Sequence, residues 1–340
     1  MSLKKIAELA GVSVSTASRV LNSASPTCAS RETQDRIWEA ARAIGYVPNE
    51  VARKLKKAAG TQTERRTETR SVTIVMARVA SLEADPFFYE LFRSLEVELM
   101  RQSMVIGQIL YAEESLAESP AETDGFIILG RCSRQLLERV SACNRNIVGI
   151  WRNSMDFDVD EVLCDGEKAA ELAMEHLLAL GHRRIAYIGD CSYESRYVGY
   201  CNTLFRNHIS MDYNLTRPTD QTREQAEAAF QELLGEKISG KADFSAVFCA
   251  NDATAVRVLE ILAKQKKKLR EAISVISIDD IEESQNTKPF LTTIRIPRDE
   301  MAHMAVNLLL DRIARGHKEP VRIEFPCRIV QRESCYPCKI

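Results

Sequence analysis

Residues 6–22, I-A-E-L-A-G-V-S-V-S-T-A-S-R-V-L-N, constrain what this chain can become more than any other stretch. Ile6, Leu9 and Ala10 recur at helical spacing. Gly11 breaks that helix, Val12 is apolar, and Ser13 stands at the N-cap of a second helix whose inner face is Ala17, Val20 and Leu21. Two helices joined by a short turn containing glycine form the helix-turn-helix pattern. In that pattern the second helix enters the DNA major groove and its first residues reach base edges. Those residues are Val14, Ser15, Thr16 and Ser18, with Arg19 one turn further on. Taken alone, the segment also fits an ordinary helical hairpin with a serine cap.

The charge distribution agrees with the DNA reading. Residues 1–60 hold ten Lys or Arg against five Asp or Glu, whereas the rest of the chain holds 36 against 43, within a net charge of -2. A basic head on an acidic body suits a tethered nucleic-acid-binding domain, because phosphate contacts need cations locally. After a loop containing Pro26, Ser30 opens a third helix with Ile37, Ala41 and Ile44 inward and Gly45 as its stop. Three short helices make a headpiece over 1–46 that is small for an independent core. Asn49 then caps a short helical stretch at 49–57, marginal in water by itself. Residues 58–70 are polar and lack apolar periodicity, which marks a linker.

From Ser71 short apolar runs alternate with amphipathic stretches. The runs are Val72–Met76, Phe126–Leu129, Ile147–Trp151, Ile185–Ile188, Ala246–Cys249 and Ile273–Ile278; the helical stretches include Phe88–Gln102, Gly166–Leu180 and Ala253–Lys264. Such alternation predicts parallel sheets covered on both faces, and the number of units predicts two lobes. Ligands in these sheets bind beyond the carboxyl ends of strands. There the chain places Gly189-Asp190, Asn251-Asp252 and Asp279-Asp280.

Several classes are disfavoured. No apolar run approaches the ~20 residues of a membrane span, and Met1–Lys5 lacks the apolar segment of a signal peptide. A cytoplasmic protein without membrane attachment is expected. The ten cysteines are scattered, and Cys335-Tyr-Pro-Cys338 has no second pair to complete a zinc site. The five histidines show no ligand spacing, so neither metal nor cofactor is expected. Dinucleotide, phosphate-loop and nucleophile-elbow motifs are all missing, which argues against an enzyme with catalytic residues.

The sequence resembles the LacI/GalR bacterial transcription repressors. In the head the likeness is carried by residues 6–22, G-Y-V-P-N at 45–49 and A-R-K-L at 52–55. In the body it is carried by L-G-H-R-R-I-A-Y-I-G at 180–189, S-R-Y-V-G-Y at 195–200, A-N-D at 250–252, I-D-D at 278–280 and L-T-T-I at 291–294. The resemblance implies an all-α helix-turn-helix headpiece (1–46), a hinge helix (47–57), and an α/β body over 71–340. That body would consist of two lobes like those of periplasmic sugar-binding proteins, each built on a parallel doubly wound sheet. Lobe one would take about 71–160 plus 295–322, and lobe two about 163–290 plus 326–340.

Site roles follow from the same resemblance. Ser13, Val14, Ser15, Arg19, Asn22, Tyr46, Asn49, Ala52 and Leu55 match DNA-binding positions. Arg19 suits a bidentate contact with guanine, and Leu55 matches the hinge leucine that wedges into the minor groove. Arg196, Asn251 and Asp279 match positions that hold the effector, with Phe87 and Trp151 as candidates for an aromatic wall; Trp151 fits lobe core equally well. The absence of Phe, Tyr or Trp between Asn214 and Phe230 disfavours a purine, and Arg298 stands where a lactose-type relative has phenylalanine. The stretch Asp156–Asp165 most resembles the β-galactoside-responsive side of the family. The chain also stops soon after Val330 without leucine heptads, so a homodimer on a pseudo-palindromic operator is expected. The expected function is repression of carbohydrate-utilisation genes, relieved by a small sugar, a galactoside being one candidate. The alternatives are a corepressor-dependent regulator that answers a phosphorylated metabolite and a sugar-binding protein without DNA activity.

Overall fold

The computed structural model describes residues 3–22, 29–46, 70–111, 122–192, 194–235 and 242–338. The hinge helix expected at 47–57 lies outside them, as does the expected linker except for Arg70, which opens the first strand. The chain forms two compact units, residues 1–162 with 298–323 and residues 163–297 with 324–340, and therefore passes between them three times.

The first unit begins with α1 (Leu3–Ala10), α2 (Val14–Asn22) and α3 (Arg31–Ala43). Gly11 takes φ +66° at the turn, a left-handed conformation that costs other residues a Cβ clash. The Ser13 hydroxyl then accepts from Thr16 N at 3.1 Å, and Ser30 does the same for Thr33 N at 3.4 Å. Ile6, Ala10, Ala17, Val20, Leu21, Ile37 and Ala41 are buried, with Ile44 partly so. Leu9 departs from expectation at 57% exposure. Ile6, Ala7 and Ala10 form the buried stripe of α1, and Leu9 lies roughly 110° round the helix from its centre. Trp38, beside Ile37, is buried in the same core.

This small core is enlarged by a helix of the body. Asp85 caps α4 (Pro86–Arg101) through Phe87 N at 2.8 Å, and Pro86 is preset for its first turn. Val97 and Met100 of α4 join the three-helix core. Arg42 pairs with the buried Glu96, and Arg93 pairs with both Glu96 and Asp35. Tyr89 Oη donates to Asp35 at 2.7 Å while the Arg31 guanidinium lies 3.8 Å from the Tyr89 ring centre. The contact uses α3 and leaves the outer face of α2 exposed.

Behind α4, the first sheet runs β11-β5-β4-β3-β1-β2. Its strands are β1 (Arg70–Met76), β2 (Met104–Tyr111), β3 (Gly125–Leu129), β4 (Ile147–Trp151), β5 (Asp160–Leu163) and β11 (Arg322–Glu324), with α5 (Arg134–Cys143) and a late helix, Arg298–Ile313, completing the unit. β1 pairs in parallel with β2 and β3, and β3 with β4. The interior strands β3 and β4 are buried at every residue, as expected where helices cover both faces.

The second sheet runs β12-β10-β9-β8-β6-β7. It comprises β6 (Ile185–Gly189), β7 (Thr216–Pro218), β8 (Ala246–Cys249), β9 (Ser274–Asp279), β10 (Thr292–Arg295) and β12 (Arg328–Val330). Only β12 is antiparallel among the pairings with known direction. Its helices are α6 (Gly166–Ala179), α7 (Ser195–Arg206), α8 (Arg223–Leu234), α9 (Asp252–Ala263) and the short α10 (Lys267–Arg270); the Arg298–Ile313 helix of the first unit is α11. Strand order reverses between β1 and β3 in one sheet and between β6 and β8 in the other. Such switch points open crevices at strand carboxyl ends. His182 ties the tail to this sheet, bonding Ser245 Oγ at 2.8 Å, Ser274 Oγ at 3.0 Å and Tyr336 O at 2.9 Å.

An ionic cluster holds the end of α11 to β5 in the first unit. The fully buried Asp160 accepts from Arg312 at 2.5 and 2.8 Å, from His317 Nε2 at 2.8 Å and from Val321 N at 2.8 Å. His317 Nδ1 meets Asp311 at 2.5 Å. Asp311, then Asp160, hold the imidazolium above the ordinary histidine range, against burial and Arg312. A raised folded pKa means stabilisation that is complete below the unfolded value of about 6.5 and lost as pH rises through the folded value. The thermal midpoint of the wild type should therefore exceed that of His317→Gln at pH 6 and approach it in mild alkali. A gap that stays constant over that range would remove His317 from the account.

Candidate functional site

The outer face of α2 carries Val14, Ser15, Arg19 and Asn22, with Ser13 at its cap; all are exposed, Val14 at 47%. Val14 is thus an apolar side chain left open at the start of a helix and flanked by hydroxyls. Arg19 Nε donates to Ser15 O at 3.4 Å, and Asn22 Nδ2 to Ser18 O at 2.7 Å, which steadies both along the helix. Tyr46 lies elsewhere: it is buried in the three-helix core and burial pushes its hydroxyl pKa up. Asn49, Ala52 and Leu55 lie outside the described residues.

In the second unit, the carboxyl ends of β6, β8 and β9 gather Arg196, Asn251 and Asp279. Arg196, 4% exposed, enters from the first turn of α7. Its Nη1 donates to Ala250 O at 2.6 Å, its Nε to Glu194 at 2.8 Å and its Nη2 to Gln221 Oε1 at 2.9 Å. Burial opposes the charge, but Glu194, with Tyr187 and Asp279, more than offsets this and the group stays a guanidinium. Glu194 also caps α7 by accepting from Arg196 N at 3.1 Å. Asn251 caps α9 through Thr254 N at 3.1 Å and turns its Nδ2 toward Gln221 O at 3.4 Å. Asp279 takes φ +137° and Asp280 φ +55°, conformations that non-glycine residues adopt at a cost and that concentrate at ligand sites. Asp252 braces this edge from below, accepting from Ser277 and Thr293 hydroxyls at 2.6 Å and Ile281 N at 3.0 Å. Burial, then Asp279, pushes its carboxyl up to about 8.

Glu194 and Gln221 are the residues sequence reasoning missed; it places Asp252 at this edge as the neighbour of Asn251, without its bracing role. Glu194 could have been found, since it stands two residues before Arg196 where a capping acceptor belongs. Gln221 has no sequence signal, because its loop meets Arg196 only through the fold. Among the described residues its buried Nε2 has no hydrogen-bond partner, and its backbone has φ +70°.

At the carboxyl edge of the first unit, Phe87 lies at the start of α4, with the Arg152 guanidinium 4.8 Å and that of Arg298 5.9 Å from its ring centre. Arg298 also pairs with Glu90 at 2.6 Å. Trp151 is buried at the end of β4, its indole donating to Glu161 at 3.0 Å and its ring edge-on to Phe157. Since Glu161 keeps bonds from Ser154, Met155 N and Arg322, Trp151→Phe should cost only about 1 kcal/mol. Calorimetry that found effector binding lost in this variant, with stability nearly intact, would place Trp151 in the ligand site. Among the described residues no group of His, Cys, Asp and Glu could hold a metal ion, and no helix is long and apolar enough to cross a membrane.

Residues 2–49 match the model of the bacterial regulatory proteins, lacI family, and residues 174–335 that of a periplasmic binding protein-like domain. The HTH-type transcriptional repressor CytR of Escherichia coli is 29% identical over 98% of this chain and 96% of its own length. The chain joins a LacI-type DNA-binding domain to a periplasmic binding protein-like domain. Among solved structures, a LacI family transcriptional regulator from Enterococcus faecium with bound ribose is similar at TM-score 0.67 and 28% identity, over 79% of this chain and all of that one. The lac repressor dimer bound to operator and an anti-inducer shares the fold at TM-score 0.66 and 24% identity, over 98% of each chain. A chain built from this pair of domains is a DNA-binding transcriptional regulator: a helix-turn-helix headpiece joined to a two-lobed α/β body that takes a small-molecule effector.

Proposed function

We propose that the chain is a dimeric repressor of carbohydrate-utilisation genes, released from a pseudo-palindromic operator by a neutral sugar. Residues 1–46 would read DNA through Val14, Ser15 and Arg19, 47–57 would form the hinge helix with Leu55 as its wedge, and 71–340 would bind effector and partner. The observation that carries the choice of effector is the buried Arg196–Glu194 pair. An arginine whose charge is already met by a carboxylate, beside Asp279 and Asn251, offers donors and acceptors for hydroxyls but little net attraction for a phosphate. The ribose held by the Enterococcus faecium relative is consistent with that chemistry. A phosphorylated corepressor is the second reading, favoured by Arg152 and Arg298 beside Phe87 in the first unit.

The two readings separate by thermal scanning of the full chain with neutral mono- and disaccharides, galactosides first, and with their phosphates. Ligand bound to the folded state raises the midpoint by mass action. A neutral sugar is expected to raise it and, in a gel-shift assay, to weaken operator binding; linkage requires that operator weaken sugar binding by the same factor. Stabilisation by phosphates alone, with tightened operator binding, would overturn the inducer reading in favour of corepression.

A further inference from the structure

Two cysteines that neither the DNA-reading helix nor the ligand edge uses meet within the second unit. Cys164 directly follows β5 and is fully buried; Cys327 directly precedes β12 and is half-buried. The backbone bond from Phe325 N to Leu163 O, 2.8 Å, lays the two segments side by side. Hydrogen bonding with Cys164 and the charge of Lys168 both favour a thiolate at Cys327. Lys168 is itself fixed by Glu324 at 2.6 Å and Asp165 at 3.5 Å. Both segments are places where the chain passes between its units, at 162/163 and 323/324.

We propose that Cys164 and Cys327 are an oxidisable dithiol that closes to a disulfide, tying together two of the three segments that connect the units. The hydrogen bond from Cys164, the main cause, and Lys168 hold Cys327 below the usual thiol range despite partial burial and Asp165. Cys327 is also the more accessible sulfur, so it reacts first. Its thiolate attacks the distal oxygen of a hydroperoxide; the S–O bond forms, the O–O bond breaks, and the departing alkoxide takes up the thiol proton. Cys164 sulfur then attacks the sulfenic sulfur; the S–S bond forms, and hydroxide leaves with the Cys164 proton as water. Two thiols lose two electrons in all, and the peroxide is reduced to alcohol and water. Disulfides in an otherwise reduced protein are characteristically of this transient, sensing kind.

The test treats the reduced full chain with a few equivalents of hydrogen peroxide, alkylates the remaining thiols and maps tryptic peptides. A cross-linked pair spanning residues 153–168 and 323–328 is expected, together with the loss of two alkylatable thiols and their recovery with dithiothreitol. Cys327→Ser should abolish the pair, while Cys164→Ser, which keeps a hydrogen-bond donor but cannot close the disulfide, should leave Cys327 as a sulfenic acid trapped by dimedone. Cys327 is half-buried, so its serine variant keeps the fold and the result does not hinge on the buried Cys164. Full alkylation of Cys164 and Cys327 after peroxide, with oxidation at Cys335 and Cys338 instead, would overturn the proposal. So would sulfinic acid at Cys327 beside an unreacted Cys164.

Discussion

Arg196→Leu is expected to eliminate effector binding and to destabilise the second unit at once. The substitution leaves Glu194 buried without its cation and frees Ala250 O and Gln221 Oε1 from their donor. Removing one partner of a buried pair costs about 3–5 kcal/mol, of the order of 10 °C in midpoint for a unit of this size. The double variant Arg196→Leu with Glu194→Gln separates the two consequences. Glutamine keeps an acceptor for Arg196's former cap position and removes the stranded charge, so most of the stability should return. Effector binding should not. Calorimetry that found it restored in the double variant would mean that Arg196 positions the loop and does not touch the ligand.

Arg19→Ala should weaken binding to the cognate operator by about 1–3 kcal/mol for each half-site, the discrimination a bidentate guanine contact supplies. Val14 and Ser15 offer only methyl contact and one hydroxyl, so little else in α2 can compensate. Binding to unrelated duplex DNA should change by much less, with a salt slope lowered by no more than the loss of one phosphate contact. Equal losses on operator and on random DNA, measured by anisotropy across salt, would reduce Arg19 to a backbone contact.

Both variants rest on residues that the sequence exposed unequally. The headpiece was legible almost in full, because caps and glycine stops act locally: Ser13, Ser30 and Gly45 each do in the fold what their spacing implies. Strands inside the parallel sheets were legible too, since β3, β4, β6 and β8 are uninterrupted apolar runs. The strands that reading passed over are of other kinds. β2 lies at an edge and mixes buried with exposed residues, while β5, β7, β10, β11 and β12 are only three or four residues long. Leu9 shows the limit of spacing in a two-turn helix, where one wrong member shifts the assumed face. At the candidate ligand edge, Arg196, Asn251 and Asp279 sit where strand ends place them. Glu194's pairing and Gln221's approach arise from tertiary contact alone. The docking of α3 on α4 through Arg42, Arg93 and Glu96 is likewise silent in sequence, because its partners lie more than fifty residues apart.

The account centres on a headpiece that reads sequence and a body whose ligand changes that reading. The most direct test selects duplexes from a random pool with the full-length protein, then titrates the winner with a neutral sugar that raises the thermal midpoint. A pseudo-palindromic site is expected to emerge, to depend on Arg19, and to be released by the sugar in the wild type but not in Arg196→Leu. Enrichment of no sequence above random DNA, or a selected site whose affinity is the same with and without the sugar, would contradict it.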